Sequence, residues 1–426
     1  MNKKFSVWLA IIGLPMFIAI TPLVPWMSQQ VMWLVVGLAA LFLILSLVAR
    51  AWFDAFISLL IGLTFLISRV LFRELDETTL AIRTSALSSF ALLNIVLLVG
   101  PWSRFSKHVL HWYKHRRHLG VVTFFLGLLH FSLIFSIYFQ RSFETTFMAF
   151  FTFFGFTGLF VMFFMALTSF DWQQKHVGKT RWMWLHLGVL IAYLATLAYA
   201  LSIQFANKQP VAPFYWVTFV IFILFWILVA PWGFAPRLMK FVNGWKQLHV
   251  LVHIAFAALV IHAWLGFFVI QPLTIKILFW ILPVFVWGSH LAGWMMKWRE
   301  DKRLKTEQAH SQKIEIEGQP YWSLARVEVF KEGQGRKFLV KDRPIALFKY
   351  QEKFFGLFGI CAHQKGPIHK GEIRNGYVEC PWHNWQYSCE TGHGPPGFHD
   401  QLAFYPCLVR DGMVYVSEYP KRSNTN

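Results

Sequence analysis

The chain has 426 residues, of which 56% are hydrophobic, 18% aromatic and only 14% charged, with a mean hydropathy of +0.46. That composition excludes a soluble domain of this length and indicates a polytopic membrane protein with a soluble tail. The formal net charge of +19 does not point to nucleic acid, because the Lys and Arg residues are scattered through short loops between apolar runs, as on a basic cytoplasmic face.

Runs long enough to cross a hydrocarbon core of ~30 Å, roughly 20 apolar residues each, lie near 6–26, 31–49, 52–72, 84–102, 118–139, 145–168, 182–204, 213–232, 248–271 and 274–296. The fold class expected is therefore a polytopic α-helical membrane bundle of about ten spans, followed by a small all-β domain. The first run follows Asn2-Lys3-Lys4, lacks a small-residue cleavage pattern and is closed by Pro22 and Pro25, so it reads as a retained helix. Residues 1–80 form N-terminal spans whose few polar groups, Asp54 and Arg69, suit anchoring and packing.

Basic residues set the orientation. One side holds Lys3, Lys4, Arg50, Arg104, Lys107, Lys114, Arg116, Arg117, Lys175, Lys179, Arg181, Arg237, Lys240, Lys246 and the Lys297–Lys305 cluster, and the other only Arg73, Arg83, Arg141, Lys208 and Lys276. Both termini are then cytoplasmic, in a multi-pass protein of the inner membrane. Residues 103–117 alternate basic and aromatic groups at helical spacing, which predicts a helix in the headgroup layer with its rings in lipid and no catalytic role for His108, His111 or His115.

Histidines inside apolar runs are costly in hydrocarbon and mark function; they are His130, His186, His249, His253, His262 and His290, with His118 at a mouth. His118, His186 and His249 lie near the inner surface, while His130 and His262 lie ~18–20 Å deeper at 1.5 Å per residue. Two tiers of imidazoles on facing helices suit one or two b-type haems.

Residues 82–204 resemble the ferric reductase-like transmembrane family. The matching text is Gly100-Pro101-Trp102, Arg116-Arg117-His118-Leu119-Gly120, Leu129-His130, Phe143-Glu144, Thr168-Ser169-Phe170-Asp171-Trp172 and Trp182-Met183-Trp184-Leu185-His186. The resemblance implies haem b within a domain spanning 81–205. The family pattern puts a second His thirteen residues after the first, where this chain has Tyr199; Trp245-Lys246-Gln247-Leu248-His249 repeats the phrase and supplies His262 at that spacing. His130 and His262 are then the expected deep pair, with His186 and either His118 or His249 nearer the surface. Residues 206–300 are additional spans with this His-rich helix, and 301–312 form a short charged linker.

Residues 313–420 read as short strands with Gly-containing turns, a small all-β module, and 421–426 as a tail. Within it, Cys361-Ala362-His363 and Cys380-Pro381-Trp382-His383 supply two thiolates and two imidazoles, a set suited to a [2Fe–2S] centre with the sulfurs on one iron and the histidines on the other. Zinc also takes this ligand set, but finger spacing places both Cys before both His. The text Cys361 to Pro367, Cys380 to Tyr387, Thr391-Gly392 and Gly394 to Gly397 resembles Rieske ferredoxin-type domains, with Asn384 where the family has glycine. In respiratory Rieske domains the ligand loops carry an extra disulfide and a serine aimed at the cluster. Here those places hold Gly366, Trp382 and Trp385, and the loss of donors implies a potential at the low end of the range, tempered upward by Tyr387, which occupies the other hydroxyl donor's place and can reach the Cys361 sulfur. Cys389 and Cys407 have no evident role.

These readings predict a membrane-bound electron-transfer oxidoreductase passing electrons between a cytoplasmic [2Fe–2S] cluster and haem b. No nucleotide fingerprint follows the spans, so the electron donor or acceptor is a separate reductase or other protein, with quinone as a candidate. The competing classes are a transporter or assembly factor with a redox-sensing tail, and a Rieske-type oxygenase, which needs a further mononuclear iron site.

Overall fold

The computed structural model describes residues 30–48, 51–167, 251–363, 365–382, 384–396 and 400–421, with isolated residues between 195 and 206. They fall into two compact units, Met1–Leu97 with His115–Phe285, and Leu98–Lys114 with Val286–Asn426. The helices among the described residues are α1 (Val31–Val48), α2 (Trp52–Leu71), α3 (Glu77–Trp102), α4 (Lys107–Trp112), α5 (Arg116–Ile137), α6 (Phe143–Met148), α7 (Phe150–Leu167), α8 (Leu251–Gly266) and α9 (Leu273–Ala309).

Among the described residues five helices are long and apolar enough to cross a membrane, α1, α2, α3, α5 and α9, where the sequence predicts spans near 31–49, 52–72, 84–102, 118–139 and 274–296. The run 145–168 is not one helix. Ala149 is extended (φ −81°, ψ 114°) and parts α6 from α7, and the Thr152 hydroxyl donates to the carbonyls of Thr146 and Ala149 across the break. The run 248–271 becomes α8 and a short 3-10 turn, Phe268–Ile270. The spans expected near 6–26 and 213–232, and most of 182–204, lie outside the described residues, so five candidates and not ten are seen.

In the first unit α1 packs along α2, and Val31, Val35, Ile57, Phe65, Leu80, Leu119 and Leu129 share one core. Helices apolar on every side also leave large side chains outward, such as Trp52 and Leu71, as membrane-embedded helices do. α7 and α8 approach closely because Gly158 has no side chain: a Cβ there would meet Leu259 Cγ at 2.6 Å.

In the second unit most of the stretch 301–312, expected as a short charged linker, is helical. α9 runs unbroken through it to Ala309, making a helix about 55 Å long at ~1.5 Å per residue. Its charged end is built of good helix formers, with Arg303 and Glu307 paired one turn apart at 3.6 Å and Leu304 buried. The segment 98–114 lies along α9: Trp102 Nε1 donates to Ser289 Oγ at 3.2 Å, and the Arg104 guanidinium donates to the Gly293 carbonyl.

The β domain has three antiparallel sheets. The first is ordered β1 (Lys313–Ile316), β2 (Gln319–Arg326), β11 (Met413–Ser417), β10 (Cys407–Arg410). The second is β3 (Gly335–Val340), β4 (Arg343–Tyr350), β5 (Lys353–Phe358), β9 (Phe404–Tyr405). The third is β6 (Glu372–Arg374), β7 (Tyr377–Glu379), β8 (Gln386–Ser388). β4 is buried on both faces. Its period of two sends Ile345 and Leu347 into a core with Phe338, Val414 and Val416, and Ala346 and Phe348 into a second core with Cys361, Cys380 and Tyr387. The hairpins close with two-residue turns in which both residues have positive φ: Glu317-Gly318, Lys341-Asp342, Gln351-Glu352, Asn375-Gly376 and Asp411-Gly412. That is the turn whose twist matches paired strands.

Candidate metal centre

Two loops carry the predicted ligands, one between β5 and β6 with Cys361 and His363, the other between β7 and β8 with Cys380. His383 lies outside the described residues. The loops share one hydrogen-bond scheme. Cys361 N donates to Gly366 O at 2.8 Å and Lys365 N to Cys361 O at 2.9 Å; Cys380 N donates to Trp385 O at 2.8 Å and Asn384 N to Cys380 O at 2.9 Å. The fifth residue of each turn is left-handed, Lys365 at φ +64° and Asn384 at φ +55°. The usual glycine after the second histidine thus serves backbone geometry, and asparagine tolerates that geometry.

The residues present fit a [2Fe–2S] cluster. Both sulfurs are buried, at 1% exposure for Cys361 and Cys380, in the core that Ala346 and Phe348 enter. Gly366 lies against the other loop so tightly that a Cβ on it would come 2.6 Å from Cys380 Sγ and 3.2 Å from the Trp382 ring. Tyr387 is fully buried with its hydroxyl 3.2 Å from Cys361 Sγ. Burial, then the hydrogen bond to Cys361, holds its phenol well above the ordinary range; to a cluster-bound thiolate, which carries no proton, this hydroxyl would be the donor. The Trp385 side chain packs as a plate on His363, ring centres 4.1 Å apart at 10°, and its carbonyl closes the second loop; both features fix loop shape. Among the described residues no three His, Cys, Asp or Glu side chains gather round one point as a single ion requires; two irons holding a pair each do not demand it.

Replacing Tyr387 by Phe should lower the cluster's reduction potential by about 40–60 mV, which is a net hydrogen bond of about 1–1.5 kcal/mol on a one-electron couple. Potentiometric titration of the reduced-state EPR signal reads the shift, and an unchanged potential would mean that the hydroxyl does not tune the sulfur. The remaining thiols are poor ligands at neutral pH: burial pushes Cys389 up to about 12, and burial also raises Cys407.

In the first unit, His130 and His262 meet. Their ring centres are 6.3 Å apart at 76°, with His130 Nδ1 3.1 Å from Ile82 O and His262 Nδ1 2.8 Å from Phe151 O. Gly155 makes room for the second ring, since a Cβ there would lie 2.7 Å from His262 Nδ1. Tyr199 is 48% exposed. Of the shallower tier, His118 Nδ1 lies 3.6 Å from Asp54 Oδ1 beside a cavity of about 90 Å³ lined also by Phe53, Ile57 and Leu119. His186 and His249 lie outside the described residues.

One contact went unforeseen in the sequence. Residues 103–115 do contain α4 and a 3-10 turn, Tyr113–His115, but Tyr113 does not turn to lipid as expected. It stacks on Trp382, ring centres 4.2 Å apart at 16°. The alternation of basic and aromatic residues looks the same for either use.

Residues 321–396 match the family described as Rieske [2Fe-2S] domain. The 3-phenylpropionate/cinnamic acid dioxygenase ferredoxin subunit of Photorhabdus laumondii is 37% identical over 98 residues, 22% of this chain and 90% of that protein. The ferredoxin component of the alkene monooxygenase system of Xanthobacter autotrophicus is 28% identical over 112 residues, 26% and 92% respectively. With chlorophyllide a oxygenase of Oryza sativa subsp. japonica the identity is 33% over 60 residues, and only 11% of that protein is spanned. Among solved structures, the Sphingomonas yanoikuyae B1 ferredoxin is similar at 22% identity and a TM-score of 0.21, covering 22% of this chain and 95% of that one. Through its C-terminal domain, the chain belongs to the Rieske [2Fe-2S] domain family.

Proposed function

We propose that this protein is a membrane electron-transfer oxidoreductase in which the Rieske domain exchanges single electrons with haem b in the helical bundle. The observation that carries the haem reading is the His130–His262 pair. His130 and His262 would hold the iron through Nε2: an imidazole nitrogen bonds a metal at about 2 Å with its ring centre roughly 1.1 Å beyond, so ring centres ~6.2 Å apart would suit two imidazoles on one metal. The pair stands at 6.3 Å. Each ring turns Nδ1 to a backbone carbonyl, which fixes the tautomer and presents Nε2 for coordination. The resemblance of residues 82–204 to the ferric reductase-like family supports the same reading.

In the Rieske domain, Cys361 and Cys380 would hold one iron and His363 and His383 the other. A bound [2Fe–2S] cluster supplies one-electron exchange at low potential. Tyr387 donates to sulfur, Gly366 keeps the two loops in contact, and the buried core excludes water from the sulfurs. The similarity to ferredoxin components of oxygenase systems supports a separate protein as electron donor or acceptor; a reductase and quinone are the candidate partners. The basic loops support a bundle embedded in the bilayer of the inner membrane with the Rieske domain on the cytoplasmic side.

A reduced-minus-oxidised spectrum of the purified full chain, with haem and iron quantified, tests this reading. The expected result is b-type haem bands together with the [2Fe–2S] signal. Preparations rich in iron and sulfide but devoid of haem would overturn it in favour of a membrane protein with a redox-sensing tail.

A further inference from the structure

We propose that the cluster-bearing tip of the Rieske domain docks on the chain's own segment 98–114, with Tyr113 as the positioning residue, so that this face is withheld from soluble partner proteins. The interpretation of the docked face as the site of electron exchange rests on the function proposed above; the docking itself does not.

Trp382 stands between Cys380 and His383 in the chain. Its ring also lies against Gly366 of the other loop, at the distance where a Cβ would crowd it, 3.2 Å. A flat aromatic surface therefore roofs both ligand loops, and the Tyr113 ring covers it at 4.2 Å and 16°. Stacked aromatic pairs contribute beyond their buried area. Tyr113 is delivered by an anchored segment. Leu110 is buried at 4% exposure, Trp102 donates to Ser289 and Arg104 to the Gly293 carbonyl of α9. α9 reaches the β domain in turn, where Lys337 Nζ lies 3.6 Å from Glu300 Oε1. Segment, helix and domain thus close a triangle with a contact on every side. A protein seeking Trp382 would have to displace Tyr113, so a soluble donor must approach the domain elsewhere.

Hydrogen exchange of the full chain in detergent tests this without reference to haem. In Tyr113→Ala, exchange should rise roughly two- to tenfold, the stacking contribution expressed as a rate, in peptides covering 359–371 and 380–388. The hairpin 407–417 should be unaffected, and Tyr113→Phe should behave as the wild type. Unchanged loop exchange in Tyr113→Ala would overturn the proposal. So would a rise that includes 407–417, because that reports a destabilised domain and not an undocked tip. If the loops respond as expected in protein that carries no haem, the docking stands and the electron-transfer reading alone falls.

Discussion

Cys380→Ser should abolish the visible absorption and the rhombic EPR signal of the reduced Rieske domain while leaving the haem spectrum in place. The sulfur of Cys380 is buried in a core shared with Cys361, Ile368, Val378 and Tyr387, and Gly366 is shaped around it. A serine oxygen is a harder and more basic ligand than thiolate, and it sits too short in a cradle built for sulfur. Because cluster binding contributes to folding, losing it should also lower the domain's melting midpoint by ~10 °C or more, at about 4–8 °C per kcal/mol for a domain of this size. Cys389→Ser is the control: that thiol is equally buried, and burial pushes it up to about 12, so cluster and signal should survive. A persistent signal in Cys380→Ser would remove Cys380 from the ligand set.

His262→Ala should cost about one haem per chain, and Tyr199→Phe none. The family pattern favours the position of Tyr199, whereas the geometry favours His262. Tyr199 is 48% exposed, while His262 faces His130 across 6.3 Å with its other nitrogen engaged by the Phe151 carbonyl. A neutral phenol cannot replace imidazole in a low-spin bis-histidine site. His130→Ala should match His262→Ala, since in the proposed haem site both would hold the same iron. Pyridine haemochrome assays on the purified variants read the outcome. Haem lost from Tyr199→Phe and kept in His262→Ala would reduce α8 to packing.

The Rieske domain was legible because its chemistry demands two residue types at fixed spacing, and the candidate ligands Cys361, His363, Cys380 and His383 stand within one short stretch. The glycines of the Asn375-Gly376 and Asp411-Gly412 turns punctuate the strand-like runs of the sequence, and both turn positions suit residues that accept positive φ. Lys341-Asp342 and Gln351-Glu352 make turns with both residues at positive φ without glycine, so only the strand pairing on either side imposes them. The break at Ala149 was hidden by an unbroken run of apolar residues, because nothing in Phe147 to Phe151 punctuates the chain. The helical character of 301–309 was hidden by charge. Lys, Arg and Glu suit a solvated helix as well as a tether, and only packing of Leu304 decides. Tyr113 was invisible because a partner more than 250 residues away leaves no local trace.

That helical end of α9 bears on how the iron–sulfur domain can work. Twelve flexible residues would let a domain sweep about 20 Å as a pendulum. Here Val286–Ala309 is continuous helix running into β1 after a turn, and the Lys337–Glu300 contact braces the domain against it. A domain mounted on a strut does not swing between a donor and an acceptor. In the function proposed above such a domain would act as a fixed relay, with the pace of electron passage set by distances built into the protein and by arrival of its redox partner, and not by the viscosity of the medium through which a swinging head would have to travel.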